Sequence, residues 1–106
     1  MKFRNFTAPI VTAALAIVML AAPAQAAMLK DGTKSCANPT PYQFVKAYTR
    51  GDVHLAAAPS GDKWIYYNDS SWHTNYKQAT RTGGGYWYVW AELEIGGANT
   101  YAYCGN

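Results

Sequence analysis

The sequence is poor in the groups on which acid–base and metal chemistry are built. It holds two histidines, His54 and His73, two cysteines, Cys36 and Cys104, and only 14% charged residues. Zinc sites draw three or four ligands from closely spaced His, Cys and carboxylate groups, and no HxH, HExxH or CxxC spacing occurs. No GxSxG turn raises a serine nucleophile. Gly83-Gly84-Gly85 is not followed by Lys-Ser or Lys-Thr, which excludes a phosphate loop. His73, Asp69 and Ser70 can be assembled into a His-Asp-Ser set on paper, but their spacing is that of a polar loop. Glu92 and Glu94 sit two apart, neighbours on one strand face, whereas glycosidase carboxylates oppose each other across a bound sugar. The expectation is a non-enzymatic protein with no catalytic residue, no metal and no cofactor.

Long apolar runs are also missing. The longest, residues 10–22, falls short of the roughly 20 residues that span a bilayer. Lys2 and Arg4 precede it, Pro23 follows, and Ala24-Gln25-Ala26 is a small-x-small cleavage site. These three parts predict a signal peptide over residues 1–26, cleaved after Ala26, and a secreted product without a stable membrane anchor. No Arg-Arg pair marks the twin-arginine route, and Ala27 stands where a lipoprotein has Cys. Loss of Lys2 and Arg4 leaves seven basic against six acidic residues, net +1. Such a balance offers little attraction to phosphate polymers, so nucleic acid is not an expected partner.

What the chain does have is aromatic surface: four Trp, nine Tyr and, past the leader, Phe44. Large rings partly offset the shortage of Leu, Ile and Val in a small core. In an exported chain two cysteines read as a disulfide, here Cys36 to Cys104, closing nearly the whole domain. Residues 27–35 are polar and read as a flexible leader before a single β domain at 36–106. Residues 42–50 alternate, with Tyr42, Phe44 and Tyr48 on one side and Val45 and Ala47 on the other, although a short helix is tolerated there. Gly51-Asp52 suits a two-residue hairpin turn. Val53, Leu55 and Ala57 share a face, and further strands are expected at 63–68, within 72–82, at 86–95 and at 100–104. Gly-rich turns at regular spacing predict an all-β fold, a small antiparallel sandwich or barrel of about six strands.

Residues 86–95 are the most informative segment. Side chains alternate along a strand, so Trp87, Val89, Ala91, Leu93 and Ile95 form a core face. Tyr86, Tyr88 and Trp90 lie on the other face, with Glu92 and Glu94 at its far end. A second aromatic row exceeds what a small core requires, and Tyr and Trp offer stiff contact area for sugar rings or a protein partner. Tyr86, Tyr88 and Trp90, extended by Tyr101 and Tyr103, are therefore the expected binding surface. The opposing expectation is that these rings pack against cross-strand neighbours. Arg50-Gly51-Asp52 matches an adhesion tripeptide, and Asn68-Asp69-Ser70 matches a glycosylation acceptor.

Trp64 and the Trp87-Tyr88-Val89-Trp90 segment lie between Cys36 and Cys104, with Thr49-Arg50-Gly51-Asp52-Val53-His54 upstream. In this layout the chain resembles the small secreted proteins of actinobacteria that carry one Cys pair, a group without an assigned activity. Trp90-Ala91 and the closing Thr100-Tyr101-Ala102-Tyr103 are similar to features of the β-sandwich lactococcin-like bacteriocins. That second likeness implies a secreted antibacterial protein that binds a cell-wall precursor. The leading expectation is a secreted interaction module, either part of an extracellular complex or an inhibitor of a secreted enzyme. Its partner would be a protein or a cell-envelope component. The alternative is a small bacteriocin-like protein acting at the cell surface.

Overall fold

A computed structural model describes residues 28–106; the expected signal peptide and its cleavage site lie outside the described residues. Eight strands are found there: β1 (Met28–Ser35), β2 (Tyr42–Arg50), β3 (Val53–Ala56), β4 (Asp62–Ile65), β5 (Trp72–Thr82), β6 (Gly84–Ala91), β7 (Glu94–Ile95) and β8 (Tyr101–Gly105). They form two antiparallel sheets. The first has the order β1-β6-β3-β4. In the second, β2 is flanked by β5 on one edge, and β7 and β8 together line the other. The all-β antiparallel fold read from the sequence is therefore found, as a sandwich rather than a barrel, with eight strands where about six were expected.

The two sheets meet through small side chains. β2 turns Val45 and Ala47 inward, β3 supplies Val53 and Leu55, and β6 supplies Trp87, Val89 and Ala91. Ala57 and Ala79 complete this core, and Ile65, Tyr67, Ile95 and Ala102 pack around it. Alternation does this work: each strand has one apolar face and the sandwich needs only one. Gln43 is one of two polar members of the inward row of β2, with Thr49, and is fully buried. Its amide nitrogen donates to the carbonyls of Lys34 (3.0 Å) and Gly85 (2.9 Å), and its oxygen accepts from the Ala58 amide (2.8 Å). One side chain of the second sheet thus holds backbone groups of three segments of the first.

The chain changes sheets where the sequence reading expected continuity. Gly51-Asp52 does not close a hairpin: β2 lies in the second sheet and β3 in the first. The strand expected at 86–95 ends at Ala91, and β7 is already in the second sheet. The two crossings lie against each other, with the Glu92 amide donating to Asp52 O (2.8 Å) and the Leu93 amide to Arg50 O (3.2 Å). Gly51 has φ +81°, and a Cβ there would stand 2.9 Å from Leu93 Cγ. The crossing therefore turns Leu93 out to 37% exposure rather than into the core, while Trp87 and Val89 are buried and Ile95 is half-buried.

β1 departs furthest from expectation. Residues 27–35 read as a flexible leader, yet Met28–Ser35 pairs with β6 along its whole length. By register its inward positions are Met28, Lys30, Gly32 and Lys34, of which only Met28, at the strand's exposed end, is apolar. Lys30 Nζ donates to Gly97 O at 2.6 Å. A Cβ at Gly32 would sit 3.2 Å from the Trp87 indole nitrogen, so glycine makes room for that ring. Just past β1, Cys36 is bonded to Cys104 on β8, joining the first sheet to the second across 68 residues.

Candidate functional site

The outer face of the first sheet is built by the same alternation that fills the core. With Trp87, Val89 and Ala91 inward, β6 presents Tyr86, Tyr88 and Trp90 outward; with Val53 and Leu55 inward, β3 presents His54. The registers then set a grid. Leu29, Trp90, His54 and Trp64 line up across the four strands, and beside them run Asp31, Tyr88, Ala56 and Asp62. Thr33 and Tyr86 form a third, shorter row.

Contacts within the grid are aromatic at its centre and acidic at its rim. The His54 imidazole stacks on Trp64, with centroids 4.1 Å apart, and meets the edge of Tyr88 at 5.2 Å. Trp64 lies 5.6 Å from Trp90 and 6.0 Å from Tyr66. His54 Nε2 is 3.0 Å from Asp62 Oδ2. The Tyr86 hydroxyl donates to Asp31 Oδ2 at 2.7 Å. That hydrogen bond, with a smaller desolvation cost, holds the Tyr86 phenol above its ordinary value, so it stays a protonated donor. Neither rim carboxylate is on a central strand of the sheet: both come from the edge strands β1 and β4.

Exposure separates an open surface from a covered one. Trp64 is 50% and Tyr86 55% exposed, and Tyr66 projects still further. Tyr88 and Trp90 are half-buried beneath their neighbours. Leu29 extends the apolar area on the β1 side. Cross-strand packing and solvent exposure thus coexist here: each ring touches another, and the assembled row still faces water.

The five residues expected to form one surface are divided. Tyr86, Tyr88 and Trp90 stay together, whereas Tyr101 and Tyr103 lie on β8 beside Lys46 and Phe44, on the outer face of the second sheet. Sequence reading missed His54, Trp64, Asp31 and Asp62. His54 was legible from its place between inward Val53 and Leu55; Asp31 was not, because β1 was not recognised, and Asp62 fell one residue before the strand expected at 63–68. Glu92 and Glu94 do not continue the aromatic row. Glu92 Oε1 accepts from the Asp52 amide at the crossing (3.1 Å), and Glu94 pairs with Arg50 at 2.8 Å.

The remaining motifs are occupied internally. Arg50 Nε donates to Ser70 O (2.7 Å) and Asp52 Oδ1 accepts from the Tyr67 amide (3.0 Å), so both charged groups of Arg50-Gly51-Asp52 are engaged. His73 stacks on Tyr67 at 3.7 Å and reaches Asp69 at 2.8 Å. That bond, with one from the Ser71 amide, holds the Asp69 carboxyl below the usual carboxylate range. Ser70 contributes its carbonyl to Arg50, and its hydroxyl makes no hydrogen bond to the imidazole among the described residues. Also among the described residues, no three His, Cys, Asp or Glu side chains converge on a metal-sized site. Comparisons with protein-family models, with curated proteins and with solved structures find no match.

Proposed function

We propose that this protein is an exported, non-enzymatic interaction module that meets its partner with the outer face of its first sheet. One observation carries the reading. Tyr86, Trp64 and Tyr66 stay open to solvent on a face whose strands have already filled the core through Trp87, Val89, Val53 and Leu55. Apolar surface of this kind, left over after the core is complete and rimmed by polar groups, tends to mark a contact site. Trp and Tyr are also the residue types that dominate binding hot spots.

The disulfide supports the setting. Cys36–Cys104 is suited to an oxidising compartment outside the cytoplasm. Asp31 and Asp62 on the rim disfavour a phosphate backbone as partner. A protein or a cell-envelope component of neutral or positive character suits the face better.

Hydroxyl-radical footprinting tests the assignment directly. The oxidised protein is labelled free and then after incubation with its own culture fluid or isolated cell envelopes. Trp64, Tyr66 and Tyr86 are expected to lose reactivity on binding, while Trp87 stays unreactive in both states. Retained reactivity at all three in a saturated complex would place the contact elsewhere. An antibacterial protein acting at the cell surface is the alternative, and it alone calls for growth inhibition by the purified protein.

A further inference from the structure

A second aromatic face lies on the opposite side of the sandwich, and its chemistry differs. β2 turns Phe44, Lys46, Tyr48 and Arg50 outward, away from Val45 and Ala47. Its neighbours place Tyr76 and Tyr101 on either side of Lys46. Phe44 stacks on Tyr103 (5.3 Å, 12°) and Tyr48 on Trp72 (4.7 Å, 14°), so parallel ring pairs flank the central row at both ends. Tyr76 is 51% and Tyr101 41% exposed.

The charges are uneven. Arg50 lies over Trp72 at 5.9 Å and is neutralised by Glu94. Lys46, its ammonium 5.6 Å from the Tyr101 centroid, takes part in none of the ion pairs found among the described residues. A lone cation therefore sits mid-face among rings, where a carboxylate ligand would find it partly desolvated.

We propose that this second face binds an acidic saccharide chain, with Lys46 meeting a sugar carboxylate and Tyr76 and Tyr101 taking the adjoining rings. Two features favour a saccharide over the other anionic polymers. Nucleic acid is bound by many cations along its backbone, and here one is free. Peptides commonly add to a sheet through its open backbone edge, whereas the strand that carries Lys46 is paired on both sides. What the face offers is side chains alone: ring faces with negative quadrupoles that suit the C–H bearing faces of pyranoses, phenol hydroxyls, and one ammonium group. Burial, with the neighbouring Tyr76 and Tyr101 phenols, pushes the Tyr103 phenol up, so that hydroxyl too remains a donor. The site is independent of the face on the first sheet, and the two together would let one small domain bridge a glycan and another partner.

The test titrates the folded, oxidised protein with polygalacturonate, with its methyl-esterified form, and with polyglutamate. Binding to polygalacturonate is expected to be roughly tenfold tighter than to the ester. Lys46→Gln should abolish that preference, and Tyr101→Ala should weaken both saccharides. Lys63→Gln, which removes an exposed cation on β4 of the other sheet, should change neither. Circular dichroism and melting verify the fold of each variant, and Lys46→Gln decides the matter alone if Tyr101→Ala does not fold. Equal affinity for the charged and esterified polymers, or unchanged binding by Lys46→Gln, would overturn the proposal. Polyglutamate binding as tightly as polygalacturonate would overturn it in favour of an acidic peptide. Self-association that depends on Lys46, with no polymer bound, would overturn it in favour of a second copy of the chain.

Discussion

Two buried polar residues of β2 show how differently the same burial can count. Gln43 satisfies two carbonyls and one amide, each belonging to a different segment. Gln43→Leu would strand all three, and a buried unsatisfied group costs about 1–3 kcal/mol. A loss of at least about 3 kcal/mol is expected in chemical denaturation, allowing for partial relaxation. Thr49 is buried as deeply, but its hydroxyl has no partner among the described residues. Thr49→Val is therefore expected to be neutral or to raise the melting temperature by a few degrees, on the order of 4–8 °C per kcal/mol for a domain of this size. Equal destabilisation by both would show that side-chain size, not hydrogen bonding, sets the cost at this row. Thr100, also buried, bonds to the Tyr48 amide at 2.9 Å where β7 has ended and β8 has not begun, so a hydroxyl stands in for the interrupted ladder.

At the scale of elements, the two sheet crossings at 51–52 and 92–93 form a single device. Each donates or accepts backbone bonds to the other, and Gly51 has the positive φ that lets them approach. Gly51→Ala would bring a Cβ to within 3.0 Å of both Leu93 and Glu92 in a conformation that L-residues avoid. A destabilisation of about 1–3 kcal/mol is expected by thermal or urea melts. Little or no loss would mean that the crossing can relax without its glycine.

The same crossings explain which parts of the fold could be read from the sequence. β2 was legible to its ends because Val45 and Ala47 alternate with Phe44 and Tyr48. β6 was legible as far as Ala91, but alternation runs on through Leu93 and Ile95, so nothing in the pattern marks the change of sheet. β1 was hidden because its inward row, Met28, Lys30, Gly32 and Lys34, is held by pairing and by fit to Trp87 rather than by apolar burial. The candidate surface was legible to the same degree. One strand's alternation gave Tyr86, Tyr88 and Trp90. Joining them to His54, Trp64 and Asp31, or separating them from Tyr101 and Tyr103, required knowing which strands are neighbours.

Across the whole molecule, a thin core of small side chains carries aromatic rows on both outer faces. The Cys36–Cys104 bridge ties the ends of the two sheets and closes most of the described chain. A loop of that length is worth on the order of 4 kcal/mol by the chain-entropy estimate. That contribution helps a small core remain folded while so many rings stay on the surface. The division of labour, small aliphatic side chains with Trp87 inside for stability and rings outside for contact, is the central claim, and one comparison addresses it. The double variant Trp64→Ala/Tyr86→Ala is measured for melting temperature and for affinity to the partner recovered from culture fluid or envelope. The account predicts stability within about 1 kcal/mol of the parent and an affinity lower by about 30-fold or more, the loss of a hot spot worth about 2 kcal/mol. Unchanged affinity, or a fall in affinity matched by an equal fall in stability, would contradict it.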